Sequence, residues 1–188
     1  MNDISKEIKV WDPAIRIFHW SLVSAFIIAY VSEDDFMTIH SYAGYTVIGL
    51  LVFRLVWGLI GSRHARFSDF VCSPGEALSY LKDMVALKAR RYLGHNPAGG
   101  AMIVALLVSL LLTTLTGLSA YGIEGAGPLA GWLAGAGEFA RDAMEEMHEF
   151  FANFTLLLIG IHLAGVILGG IFHGENLVRA MFTGNKQC

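Results

Sequence analysis

Four stretches of this sequence are too long and too apolar to be solvated by water: residues 15–31, 36–60, 98–121 and about 148–172, the last apolar from Phe150 onward. Crossing a hydrocarbon layer about 30 Å thick takes roughly 17 to 25 predominantly apolar residues. Backbone in lipid must satisfy its own N–H and C=O groups, so each stretch is predicted to be a helix. Composition agrees, with 55% hydrophobic residues against 15% charged and a mean hydropathy of +0.55. The expected fold is all-α, an integral membrane four-helix bundle forming one membrane domain over residues 1–188. The first stretch is kept as a mature helix. No small-residue cleavage site follows it, and "VSEDDF" leads straight into the next span.

The charges between the spans set the orientation. Lys6, Lys9 and Arg16 precede or open the first span; Arg63, Arg66, Lys82, Lys88, Arg90 and Arg91 lie between the second and third; Arg179 and Lys186 follow the fourth. The alternate segments are "SEDD" (32–35) and residues 122–149, where Glu124, Glu138, Asp142, Glu145, Glu146 and Glu149 face only Arg141. The positive-inside rule therefore puts both termini in the cytoplasm. In the cytoplasmic connection, "SPGEALSYLKDMVALKARRYLG" (73–94) offers Ser73 as a cap, Pro74 in the first turn, and Leu78, Leu81, Val85 and Ala89 on a helical period. It reads as an amphipathic helix on the membrane interface. On the periplasmic side, "GPLAGWLAGAGEFARDAMEEMHEFF" reads as a short surface helix and then a helical run feeding the fourth span. Cys72 and Cys188 form no C-x-x-C or C-x-x-C-H pattern and are read as incidental thiols.

Seven histidines remain to be explained: His19, His40, His64, His95, His148, His162 and His173. Ionisable groups inside a span are costly and mark pathways or cofactors. His148 and His162 are fourteen residues apart on one helix, which is about 21 Å of rise and about 40° around the axis. They face one seam at two depths. His40, one turn into the second span, matches the outer level of His148; His19, a turn into the first, matches the inner level of His162. Each pair, His40 with His148 and His19 with His162, is suited to grip a planar macrocycle and supply both axial nitrogens of a haem iron. His173 lies about 37 Å of helix beyond His148 and is expected at the cytoplasmic headgroups. His64 and His95 fall in the basic connection and read as solvated or lipid-facing.

Other residues fit the same reading. Gly44, Gly49, Gly117, Gly160, Gly165, Gly169 and Gly170 leave room for a ring, or else serve close helix packing. Arg54, near the cytoplasmic end of the second span, either snorkels to the headgroups or pairs with a haem propionate, and Arg16 is a weaker candidate for the same carboxylates.

The segments "VWDPAIRIFHW", "IHSYAGY", "FRLVWGLIGSRHARFSDFV", "GHNPAGGAMIV", "TGLSAYG" and "MHEFFANFTLLLIGIHLAGVILGGIFHGENLVRAMFTG" resemble, in order, those of the bacterial dihaem b-type cytochromes. That cytochrome b-561 group includes the cytochrome b subunit of nickel-iron hydrogenases. The resemblance runs from Val10 to Gly184. It implies haem ligands at His19, His40, His148 and His162, and electron exchange with the quinone pool beside a redox enzyme or a periplasmic cytochrome c. A fifth span found in hydrogenase-linked members is absent from the pattern of apolar stretches.

The expected function is transmembrane electron transfer through two bis-histidine b haems between a quinone and a redox partner. Whether the chain is itself a quinone oxidoreductase or a subunit of a redox complex stays open. Saturated axial coordination leaves no iron site for substrate. The acidic segment around Asp142, Glu145 and Glu146 either docks a basic cytochrome or is a solvated face. A superoxide:quinone oxidoreductase is the alternative, disfavoured because the outer surface is acidic. A histidine-lined metal-ion transporter ranks below both, since no span holds an interior Asp or Glu. No nucleic-acid partner is expected.

Overall fold

The computed structural model describes residues 7–33 and 36–187; Lys6, Asp34, Asp35 and Cys188 of the segments above lie outside them. In chain order the elements are strand β1 (Glu7–Lys9) and helices α1 (Pro13–Val31) and α2 (Met37–Ile60). A 3-10 turn (Arg63–Ala65) leads to α3 (Phe67–Phe70), α4 (Pro74–Val85), α5 (Pro97–Ile123), α6 (Ala130–Leu133), α7 (Glu138–His173), α8 (Leu177–Thr183) and strand β2 (Asn185–Gln187). Four helices, α1, α2, α5 and α7, are long and apolar enough to cross a membrane. Their exposed side chains include Ile17, Leu55, Leu59, Ile167 and Ile171, each more than half accessible. A helix apolar on every side is one whose outer face meets lipid. The all-α membrane bundle expected from the sequence is the fold observed.

The contacts divide the chain into two compact units. The first comprises residues 1–23, 52–104 and 160–188, the second residues 24–51 and 105–159. Among the described residues every Lys and Arg except Arg141 belongs to the first, which is called the basic unit below; the second is called the acidic unit.

In the basic unit, Asp12 caps α1: its Oδ1 accepts the N–H of Ile15 at 3.0 Å, and Pro13 takes the first helical position, where no N–H is needed. Its Oδ2 accepts Trp57 Nε1 at 3.2 Å and Ser62 Oγ at 2.5 Å, tying the start of α1 to the end of α2. Burial alone would raise the Asp12 carboxyl; the bonds from Ser62, Ile15 and Trp57 outweigh it and hold the group below the usual range. The termini then clasp each other. β1 and β2 pair antiparallel, with Ile8 opposite Lys186, and the carbonyl of Gly184 accepts the N–H groups of both Val10 (2.8 Å) and Trp11 (3.0 Å). Gly184 ends α8 at φ 86°, and a Cβ there would meet the Trp11 carbonyl at 2.6 Å, so the clasp requires glycine. Glu175 binds Arg91, and Lys186 Nζ at 3.3 Å, beneath it.

The interfacial helix is shorter than the sequence suggested. Ser73 and Glu76 form a reciprocal capping box ahead of Pro74, but α4 stops at Val85 and Leu87 turns left-handed at φ 59°. Leu78, Leu81 and Val85 are exposed while Ala77 and Tyr80 are buried. The apolar row points outward, as a helix seated on lipid requires. Ala89, expected on the same row, is past the helix end.

In the acidic unit the core is small and hydroxyl-rich. Thr155 of α7 is fully buried, its Oγ1 2.7 Å from Ser109 Oγ and 3.3 Å from Thr113 Oγ1 on α5, both buried. Thr113 and Thr155 also donate to their own helix backbones, to Ser109 O at 2.9 Å and to Phe151 O at 2.8 Å. Small residues and interhelical hydroxyl bonds replace the hydrophobic driving force that lipid removes. α7 begins ten residues before the expected span, at Glu138; Arg141 bonds Asp142 (2.9 Å) and Glu145 (3.5 Å) along that extension.

Candidate functional site

His40 sits one turn into α2 and His148 ten residues into α7, both in the acidic unit. Their ring centroids are 5.8 Å apart and their planes 84° apart. His40 Nδ1 lies 2.9 Å from the carbonyl of Ala29, and His148 Nδ1 lies 2.8 Å from the carbonyl of Thr113. A carbonyl only accepts, so each Nδ1 carries the proton and each Nε2 keeps its lone pair. That is how a metal-ligating imidazole is oriented and made more basic. The acceptors have local causes. Ala29 is in the last turn of α1, where carbonyls lack helical partners. Thr113 O is reached because Gly117 lies one turn above it: a Cβ on Gly117 would fall 2.6 Å from His148 Cε1. A cavity of about 210 Å³ adjoins the pair, lined by Gly44, Tyr45, Gly117, Tyr121, Glu124 and Glu145 among others. It is lined by no Lys or Arg among the described residues.

His19 and His162 belong to the basic unit. Their rings are not in aromatic contact among the described residues. Around them the bonding is incomplete. Arg16 Nε, His19 Nδ1, Trp20 Nε1, Arg54 Nη1 and His95 Nδ1 are all buried with no hydrogen-bond partner among the described residues. An unsatisfied buried polar group costs about 1–3 kcal/mol, and five of them in one unit point to an acceptor-rich ligand. Arg16 also donates through Nη1 to the carbonyl of Phe182, so it serves the end of α8 as well. Trp20 stacks on Phe182 at 4.3 Å.

Arg54 does not snorkel. It is 2% exposed, with its guanidinium carbon 4.7 Å from the Phe67 ring centre and 5.6 Å from that of Phe70. This gives "GSRHARFSDF" a physical role. Gly58 makes room for Phe67, whose ring would lie 2.1 Å from a Cβ there, and Gly100 makes room for the backbone of Phe70 at 2.3 Å. His64 Nδ1 bonds Asp69 Oδ2 at 2.9 Å and Arg66 Nε bonds Gly61 O at 2.7 Å, holding the segment closed.

His95 is the residue that sequence reasoning missed. Far from being solvated, its ring lies 4.5 Å from Trp11 and 4.8 Å from Phe70. Burial first, and then the charge of Arg54, hold its imidazole down to about 3, so it is neutral. His64 is likewise paired rather than solvated, and His173 is the last residue of α7. Among the described residues no three His, Cys, Asp or Glu side chains converge as a metal cluster, while His40 and His148 meet as a pair.

Long apolar helices with histidines drawn together inside them define a membrane cytochrome. Residues 10–184 match the family described as prokaryotic cytochrome b561, and the chain belongs to that family. It is a b-type cytochrome, a prokaryotic membrane protein of electron transport whose cofactor is haem b. It is 22% identical to a probable Ni/Fe-hydrogenase B-type cytochrome subunit of Rhizobium leguminosarum bv. viciae, over 96% of this chain and 89% of the relative. It is 20% identical to proteins of the same description from Azotobacter vinelandii and Azotobacter chroococcum mcd 1, each over 93% of this chain and 86% of the relative. No solved structure matches.

Proposed function

We propose that this chain is one membrane domain that carries electrons across the bacterial inner membrane through two haem b groups, each held by two histidines. His40 and His148 hold the one on the periplasmic side, and His19 and His162 the one on the cytoplasmic side, with both termini in the cytoplasm. The supporting observation is the His40 and His148 pair. Two metal–nitrogen bonds of about 2 Å put the centroids of facing imidazoles about 6 Å apart, and the rings stand at 5.8 Å with both Nδ1 protons already committed to carbonyls.

Haem supplies a one-electron ferric to ferrous change, and the residues do the rest. His40 and His148 present their Nε2 lone pairs, fixed by Ala29 and Thr113. His19 and His162 would hold the second haem in the basic unit, where His19 Nδ1 has no partner among the described residues and Arg54, and more weakly Arg16, receive the propionates. Occupied axial positions keep the iron from binding substrate. A membrane quinone is the exchangeable partner. The other is a redox enzyme subunit, as the hydrogenase names of the relatives suggest, or a periplasmic cytochrome c.

The test is haem stoichiometry on purified protein. Two haems per chain, with sharp low-spin bands on reduction, are expected. One haem per chain, or high-spin spectra that shift with added cyanide, would sink the reading.

A further inference from the structure

We propose that Arg54 and His95, both packed against Phe70, form a receptor for a carboxylate of the haem held by His19 and His162. This receptor makes that haem the more easily reduced of the two. The inference rests on the two-haem reading and adds to it a residue, His95, and an order of potentials.

The argument begins with an unbalanced charge. A guanidinium does not shed its proton, so at 2% exposure Arg54 needs a counter-ion. The described carboxylates of its unit are otherwise engaged or exposed. Asp12 takes Ile15, Trp57 and Ser62. Asp69 takes His64 and Arg63, and Glu175 takes Arg91 and Lys186. Glu7 takes Arg179 and Asn185, Glu76 is spent in its capping box, and Asp83 is exposed. None reaches Arg54 within ion-pairing distance among the described residues. Asp12 acts on Arg54 only from beyond ion-pairing distance, and a ligand carboxylate is the anion this inference supplies.

Where the anion sits is marked by the second residue. Arg54 and His95 both lie against the Phe70 ring, and each has a buried nitrogen with no partner: Nη1 on one, Nδ1 on the other. A carboxylate has two oxygens, enough to accept from both. The aromatic walls of Trp11, Phe67 and Phe70 exclude water from the pair and strengthen the attraction.

The order of potentials follows from comparing charges. Reduction adds one electron and no atom at either iron, so each site becomes one unit more negative. In the basic unit Arg54 is beside the cofactor and favours that change. In the acidic unit the cavity next to His40 and His148 has Glu124 and Glu145 in its lining and no cation; Arg141 offsets part of the Glu145 charge, and the remaining negative charge opposes reduction.

The experiment is a potentiometric titration of the purified holoprotein, followed in the haem bands, with haem content measured in parallel. Wild type is expected to show two one-electron waves. Arg54→Met should lower the higher wave by at least a tenfold change in the reduction equilibrium, about 59 mV, and leave the lower wave in place. Arg54→Lys should restore part of the loss, and His95→Phe should lower the same wave by less. Glu145→Gln should raise the lower wave instead. Reduced-minus-oxidised infrared spectra should show a haem carboxylate band that moves in Arg54→Met. If Arg54→Met does not fold, Arg54→Lys and His95→Phe carry the test. Two haems with both waves unmoved in the Arg54 and His95 variants would overturn this inference and leave the two-haem reading standing. A wild type with one haem would overturn the reading first.

Discussion

The two histidine sites solve different problems with different chemistry. In the acidic unit the imidazoles are oriented by backbone: carbonyls of Ala29 and Thr113 hold the Nδ1 protons, Gly117 clears the approach, and Ser109, Thr113 and Thr155 lock α5 to α7. No buried side-chain polar atom there lacks a partner among the described residues. In the basic unit the surroundings are cationic and five buried polar atoms lack partners, while the periphery is heavily braced by Asp12, the terminal strands and the Glu175 ion pairs. On the two-haem proposal, one site is organised before its cofactor arrives and the other around what the cofactor brings.

That contrast is broken most severely by removing a ligand. His148→Ala or His40→Ala is expected to cost one haem of two and leave the other's spectrum intact, and His162→Ala or His19→Ala should cost the complementary haem. Pyridine haemochrome content against protein mass reads this directly. Next in size is Gly117→Val. A Cβ at that position would lie 2.6 Å from His148, so the ring must leave Thr113 O, and the acidic-unit haem should be lost or become high-spin. Gly44→Ala is the control. It lines the same cavity, but its added Cβ meets nothing within 4 Å, and haem content should hold.

Much of this was legible in the sequence, because lipid imposes simple rules. Length and hydropathy locate α1, α2, α5 and α7, and the meeting of His40 with His148 follows from counting rise along two helices. What escaped depends on tertiary contacts or on water. The helical run feeding the fourth span is legible, but its continuity with that span from Glu138 onward is not, because hydropathy cannot see charged first turns such as those of Glu138, Arg141 and Glu145. Nor can it see three-residue strands such as β1 and β2, which are specified by pairing with each other and by Gly184 rather than by any pattern of their own. His95 lies in an irregular stretch before α5, and only the folding of Trp11 and Phe70 onto it removes it from solvent. The shared orientation of the Nδ1 protons is equally invisible, since it depends on which carbonyls happen to be near.

A smaller effect sharpens the comparison from the acidic side. Thr155→Val keeps the volume and deletes the hydroxyl, leaving Ser109 without its 2.7 Å partner. Losing one such bond inside a membrane bundle is worth about 0.6–2 kcal/mol. The expected result is a modest fall in the temperature at which the Soret band is lost in detergent. Haem content at low temperature should be unchanged, because the His148 acceptor is the Thr113 backbone and not the hydroxyl. A change in haem spectrum without a change in melting would mean that the ladder positions the ligand after all.

The mildest perturbation is pH, and it acts on the basic side. Burial on its own would raise the Glu175 carboxyl, but the hydrogen bond from Arg91 and the charge of Lys186 outweigh it, so the folded pKa lies below the ordinary 4.5. A depressed carboxylate contributes stability that is fully present above its unfolded value and is lost as pH falls through the folded one. The clasp should therefore be indifferent to pH between about 6 and 8 and loosen only in acid, as Glu175 takes up a proton and releases Arg91 and Lys186. Amide exchange at Ile8, Val10 and Lys186, corrected for the intrinsic pH dependence, should show protection falling in acid, and Glu175→Gln should show the weakened protection already at neutral pH. The His40 and His148 site takes no part in those ion pairs. Its spectrum should not follow the same titration, and a shared midpoint would show that the two sites are not independently built.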